Sequence, residues 1–225
     1  KQADYRVSDL SFEKGMARFN LVRGRKAVTE RDFVLPMTGE HNVLNALGAL
    51  VVAYHLGIPL HVIKNSLRNF KGVKRRFTFI GEIGGVTIID DYAHHPVEIE
   101  AVLKAARQAT TGRVLVVHQP HRYSRLSFLF DEFCRCFNEA DVVAITDVYA
   151  ANELPIPGAS QRALVNGLNL QGHRDVSAIN GEVGLKNFFK EKVRSNDIFV
   201  CLGAGSISSW VNNLPFELTK DGFKL

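Results

Sequence analysis

Cysteine is scarce and unpatterned: three residues in 225, at 134, 136 and 201, at no spacing that builds a disulfide framework or a zinc site. Free thiols in odd number point to a reducing compartment, and the cytoplasm is the expected location. No apolar run reaches the length of a membrane span and no stretch reads as a signal peptide, so no membrane partner is expected. Lys and Arg outnumber Asp and Glu only 28 to 23, and no basic run carries interleaved aromatics. That argues against nucleic acid and leaves anionic small molecules as partners that suit the charge. A G-x-x-x-x-G-K-[ST] phosphate loop occurs nowhere, and Gly203-Ala204-Gly205 lacks the third glycine of a dinucleotide fingerprint. A nicotinamide cofactor is therefore not expected. The chain also lacks an initial Met: it opens at Lys1 in strand-like material, and the expectation is a piece of something longer.

What is present is ordinary globular composition, 46% hydrophobic and 23% charged, in a chain long enough for one large domain or one and a half ordinary ones. Residues 5–36 carry short alternating segments, Met16–Val22 and Phe33–Leu35 among them, around a polar turn at Arg23-Gly24-Arg25-Lys26. These read as small antiparallel strands. A helix from His41 runs through Leu44, Leu47, Val51 and Tyr54 to a stop at Gly57, and a second from Leu60 to Phe70 follows. Such a region buries a thin core, and its other half is expected upstream of Lys1.

Beyond Gly72-Val73-Lys74-Arg75-Arg76 the pattern changes. Phe77–Ile83, Gly84-Gly85 and Val86–Asp90 read as a hairpin. Strands at 113–118, 141–146, 175–179 and 197–202 then alternate with helices at 96–109, 125–138, near 160–168 and 182–192, with a last short helix after Gly205. Cys134 and Cys136, two apart in the second of these helices, should point to different sides. Repeated β and α of this kind mean an α/β fold, a mostly parallel sheet with helices on both faces. The boundary between the regions is placed at 77/78, giving domains 1–77 and 78–225.

In such a sheet each strand delivers its following loop to one edge, where ligands bind. Collected there are Asp90, Asp91, Tyr92, His94 and His95; then His118, Gln119, His121, Arg122, Tyr123 and Arg125; then Asp147, Tyr149, Asn152 and Glu153. Asp90 or Asp91 as a helix cap, with the paired His as solvated loop residues, is the plain alternative. A metal is disfavoured, because adjacent His side chains diverge and no third ligand stands at suitable spacing. Arg122 and Arg125, three apart at a helix start, can turn both guanidinium forks to one carboxylate or phosphate. Cations are disfavoured at that end of a helix, so the placement wants an anion. Asn42 and Asn45 share a helical face and suit a purine edge or simple capping. Lys74-Arg75-Arg76 suits a polyphosphate or a charged linker.

Six stretches, in order, resemble the Mur ligases: Gly39–Asn45, Gly72–Phe77, Asp90–Pro96, Gln119–Arg125, Asp147–Ala151 and Pro155–Gly158. The His121–Arg125 stretch is similar to that of the branch that joins L-alanine to UDP-N-acetylmuramate. The resemblance implies three domains, with this chain holding the tail of a P-loop-type ATPase domain and a complete Rossmann-like amino-acid-binding domain. It implies ATP-dependent amide formation through an acyl phosphate in peptidoglycan precursor synthesis. ATP would meet Asn42, Asn45, Arg76, Asp91 and Tyr92; His121, Arg122 and Arg125 would hold L-alanine. His94, His121 and Arg122 would stand at the reacting centre. Mg²⁺ would have its ligands upstream, along with the phosphate loop, so the piece alone should be inactive and its partners would include the missing N-terminal domains. A non-catalytic nucleotide- or amino-acid-binding module and a peptide-recycling relative are the alternatives.

Overall fold

The computed structural model describes residues 3–13, 15–24 and 27–223. Arg25 and Lys26 of the expected polar turn lie outside them. Two compact units part between Val73 and Lys74.

The first unit is an antiparallel sheet of β1 (Tyr5–Glu13), β2 (Met16–Arg23) and β3 (Val28–Leu35), in that order, with helices α1 (Glu40–His55) and α2 (Leu60–Arg68). Phe19, Leu21, Phe33 and Leu35 from the strands and Val43, Ala46, Leu50 and Ile63 from the helices make its core. In α1, Val43, Ala46 and Leu50 recur three and four apart, the spacing of one buried face.

The second unit holds six strands: β4 (Thr78–Ile83), β5 (Val86–Asp91), β6 (Val114–His118), β7 (Val142–Ile145), β8 (Val176–Ala178) and β9 (Ile198–Leu202), in the spatial order 4-5-9-6-7-8. Only β4 runs antiparallel. It joins β5 through Gly84 and Gly85, both at positive φ (59° and 75°), as a tight hairpin with the native twist requires. The last strand, β9, lies between β5 and β6. One face buries Ile89, Val116, Ile145 and Val200 under α3 (Pro96–Ala109), the short α4 (Tyr123–Phe128) and α5 (Phe130–Phe133), and α6 (Gln161–Leu170). The other buries Ile88, Val117, Ala144 and Cys201 under α7 (Gly181–Lys192) and α8 (Ile207–Lys220). Successive strand residues alternate between these cores, as the period of two dictates.

Four expectations need correction. The units divide four residues earlier than 77/78, because the Arg75 carbonyl accepts from the Tyr92 amide and the Phe77 amide donates to Asp91. The helix expected over 125–138 breaks at Leu129 (φ −112°, ψ 28°) and gives way to turns after Phe133. Cys134 and Cys136 then share one core instead of pointing apart. The last helix is not short: α8 continues through Pro215, its loss of one helical bond offset by burial of Ile207, Val211, Leu214 and Leu218 along one stripe. No helix of the described residues is long and apolar enough to cross a membrane.

Candidate functional site at the sheet edge

The strand order reverses around β9. The helices that follow β5 and β6 lie on one face, and the helix that follows β9 lies on the other. A crevice opens at such a switch point beyond the carboxyl ends of the strands. Its walls are the loops after β5 (92–95), β6 (119–122) and β9 (203–206), with the loop after β7 alongside.

A layer of buried polar groups lies under the crevice. Asp91, 3% exposed, accepts from the Phe77 amide at 2.6 Å and the Ala93 amide at 2.7 Å. Burial raises its carboxyl above the ordinary range despite both donors. A carboxylate has about four lone-pair sites, so a ribose hydroxyl would be a third partner on a group already stapling its loop. Asp90 points to the opposite face, accepting from the Ser208 hydroxyl at 2.6 Å. Neither caps α3: Glu98 reaches back to the amides of His94 (3.1 Å) and His95 (3.2 Å) and does so itself. Gln119 is buried too, tying Ser206 and the Ile207 amide to the loop after β6.

His118 does not belong to the rim. It continues the inward set of Val114 and Val116 and is wholly buried, its ring 5.7 Å from Phe133 and 5.6 Å from Phe137. Neither ring nitrogen has a hydrogen-bond partner. Burial lowers its pKa to about 3, so the imidazole is neutral.

Above this layer the rim residues touch one another. The Arg75 guanidinium lies 4.6 Å over the Tyr92 ring; Tyr92 meets His94 edge-on at 5.1 Å; His94 and His121 are 6.0 Å apart; His121 stacks on Tyr149 at 5.2 Å and 16°. Arg75 also donates to the Gly203 carbonyl at 2.5 Å, which ties this end of the chain of contacts to the loop after β9. At Gly205 a Cβ would stand 2.6 Å from Tyr149 Cγ and 2.4 Å from Gln119 Oε1. The Gly-x-Gly turn thus serves close packing of this collar. The sequence places Tyr149 at this edge and Arg75 in a basic run suited to a polyphosphate or a linker; the fold adds that both belong to the collar.

The two imidazoles carry their protons on opposite nitrogens. His94 Nδ1 lies 2.9 Å from the Tyr92 carbonyl, which can only accept, so Nδ1 holds a proton, and in the neutral ring Nε2 is the nitrogen with the lone pair. His121 Nδ1 lies 3.3 Å from Arg125 Nη1, which can only donate, so His121 is protonated on Nε2. Burial, then the neighbouring Arg125, His94 and Arg122, hold His121 below the ordinary histidine value.

Arg122 and Arg125 do not share a helical face as their spacing predicts. Arg122 is the residue before α4, at φ 74° and ψ 131°, and its side chain is exposed. Arg125 lies inside the helix and also donates to the His121 carbonyl at 2.9 Å. An anion at this helix start is supplied by the chain itself: Glu153 accepts from the Ser124 amide (2.9 Å) and hydroxyl (2.6 Å). Arg76 is exposed and near enough to Asp91 to favour its ionised form. In the first unit Asn42 donates to the Thr38 carbonyl at 2.8 Å, and Asn45 is exposed on the same face of α1. Among the described residues no group of three or more His, Cys, Asp or Glu side chains could hold a metal ion.

By topology and rim chemistry the second unit is a doubly wound α/β domain with a crevice suited to a small polar ligand. The family model described as "Mur ligase, glutamate ligase domain" matches residues 75–205, and the chain belongs to the Mur ligase family. It is 57% identical over 226 residues to the UDP-N-acetylmuramate–L-alanine ligase of Paracoccus denitrificans, covering 97% of this chain and 48% of that protein. It is 59% identical to the ligase of the same name from Cereibacter sphaeroides, over 96% of this chain and 47% of that one. The chain thus spans about half the length of the curated relatives it matches. Among solved structures, the UDP-N-acetylmuramate-alanine ligase of Thermotoga maritima superposes with TM-score 0.77 at 25% identity, covering 98% of this chain and 47% of that one. A murein peptide ligase of Psychrobacter arcticus, at TM-score 0.73 and 20% identity over 96% of this chain and 44% of that one, shares the fold.

Proposed function

We propose that this chain works as the amino-acid-binding part of an ATP-dependent ligase that joins L-alanine to UDP-N-acetylmuramate in peptidoglycan precursor synthesis. The observation that carries this reading is the rim itself, where His94, His121 and Arg125 form one set of contacts at the switch point, Arg122 beside them. Identity near 58% to ligases of that name supports the choice of amino acid. Three buried cysteines without a disulfide fit a reducing compartment, the cytoplasm.

In this reading Arg122 and Arg125 hold the alanine carboxylate. Arg122 is the exposed, adaptable fork, and Arg125 is fixed by the His121 carbonyl. The acyl phosphate presents a carbonyl carbon to the alanine nitrogen, and the chain contributes positioning and charge complementarity. Arg76, Asp91 and Tyr92 are assigned to ATP on the second unit, and Asn42 and Asn45 to adenine on the first. Mg²⁺ fits no cluster of the described residues, and no step is drawn through it.

The test is titration with L-alanine of the 225-residue chain and of the longer ligase proposed to contain it. Arg122→Ala should weaken L-alanine at least about tenfold, as loss of a charge-assisted contact does, with ATP binding kept in the longer protein. Unchanged L-alanine affinity would overturn the assignment.

A further inference from the structure

The rim holds two imidazoles whose Nδ1 partners are of opposite character, a carbonyl at His94 and a guanidinium at His121. In its neutral form His94 offers a lone pair at Nε2, because the Tyr92 carbonyl fixes the proton on Nδ1. His121 offers an N–H at Nε2, because Arg125 occupies Nδ1. Resting on the reading of this rim as an alanine subsite, we propose that the pair divides amide formation between them: His94 Nε2 takes a proton from the alanine ammonium, and His121 Nε2–H donates to the oxygen that gains charge as the amine attacks.

The proton balance is simple. One N–H bond of the ammonium breaks, its proton and positive charge pass to the His94 ring, and the freed electron pair forms the C–N bond. The acyl C–O bond to phosphate then breaks, phosphate leaves with the electron pair of that bond, and a second nitrogen proton passes to the departing phosphate as the amide forms. Glu98 Oε2 stands 3.7 Å from His94 Nδ1 and faces the charge so formed. Burial first, then Arg125 on its helix, His94 across the crevice and Arg122 on its loop favour the neutral form of His121, and Glu153 from the loop after β7 acts the other way. A neutral imidazole donor suits this task, because its Nε2–H can polarise the oxygen while the proton stays on the ring.

Two residues position His121 without touching the reacting atoms. Arg125 selects the tautomer. Tyr149 fixes the ring plane by stacking on it, and its backbone is locked in place by pairing with His121 and by bonds to Pro120 (2.8 Å) and Arg122 (2.9 Å). Gly205 leaves room for the far side of the Tyr149 ring.

Imidazole ¹⁵N spectra of the 225-residue chain, recorded at about pH 8 where a histidine of ordinary pKa is neutral, read the tautomers without any substrate. The expected pattern is Nδ1–H at His94 and Nε2–H at His121. Arg125→Met should let the His121 proton populate both nitrogens, and Tyr149→Phe should leave it in place. The reverse pattern at either histidine overturns the division of roles. In the longer ligase, His94→Gln should lower kcat by roughly 10²-fold or more while KM for L-alanine moves less than about threefold. His121→Gln, which keeps an N–H donor, should retain at least about ten times the kcat of His121→Leu. A pure KM effect at 94, or equal losses at 121, overturns it. Failure of the wild-type chain to bind L-alanine would instead sink the alanine reading, whereas reversed tautomers with L-alanine bound would sink only the division.

Discussion

The rim of the crevice and the layer just beneath it are built from the same residue types and behave as opposites. His118 and His121 stand three residues apart; one is packed against two phenylalanines with both nitrogens unpartnered, and the other is half-exposed with its tautomer set by an arginine. Asp91 spends both oxygens on backbone amides, whereas Glu153 on the rim caps a helix start in reach of solvent. The lower layer fixes backbone, and the upper layer keeps donors and acceptors available. Polarity alone does not mark a site; what matters is which groups remain unspent after the fold has satisfied itself.

Substitutions can break that contrast. Asp91→Ala carries the largest expected effect, because it strands the buried-side amides of Phe77 and Ala93; a loss of about 3 kcal/mol in chemical denaturation follows from two unpaired donors. A change under about 1 kcal/mol would mean the staple is dispensable and Asp91 belongs functionally with the rim. Next comes His118→Phe. The folded-state pKa of about 3 lies below the ordinary 6.5, so as pH falls the unfolded chain takes up the proton first, and stability is lost progressively from about pH 6.5 down to about 3. The phenylalanine variant has no such group, and should be more stable than the native chain by about 2 kcal/mol near pH 5, with a smaller gain at neutrality. A pH-independent difference would show that the imidazole is not sealed in the core. The smallest effect belongs to Arg122→Gly. Its φ of 74° is a conformation glycine adopts freely, so thermal melts should show a gain of about 1 kcal/mol together with weaker L-alanine binding. A loss of stability would place Arg122 among the structural groups after all.

Much of this was legible in the residues. Alternation along Val86–Asp91 already separates Asp90 from Asp91 onto opposite faces, and the strand-end loops that carry histidine and arginine are the ones that meet. His118 was misread for a definite reason. In a parallel sheet buried on both faces the strand shows no polar-apolar alternation, so a histidine at its end looks like the start of the loop. Only the two phenylalanines, 15 and 19 residues downstream, decide its environment, and they reach it because the helix expected there breaks at Leu129. The Glu153–Ser124 contact spans 29 residues and a βα connection, and nothing local announces it. The positive φ at Arg122 is likewise imposed by pairing with Tyr149, a long-range bond on a residue that prefers other conformations by itself.

The position of β9 has a consequence for biosynthesis. Residues 198–202 fill the gap between β5 and β6, so a growing chain that has already made both of those strands has no way to join them. Until residues 198–202 have left the ribosome, two apolar strand edges stay open, and contacts of this sequence separation form slowly. Truncations that end before Ile198 should therefore leave two unjoined sheet fragments prone to aggregate, and the crevice between β5 and β6 can form only once β9 has been made.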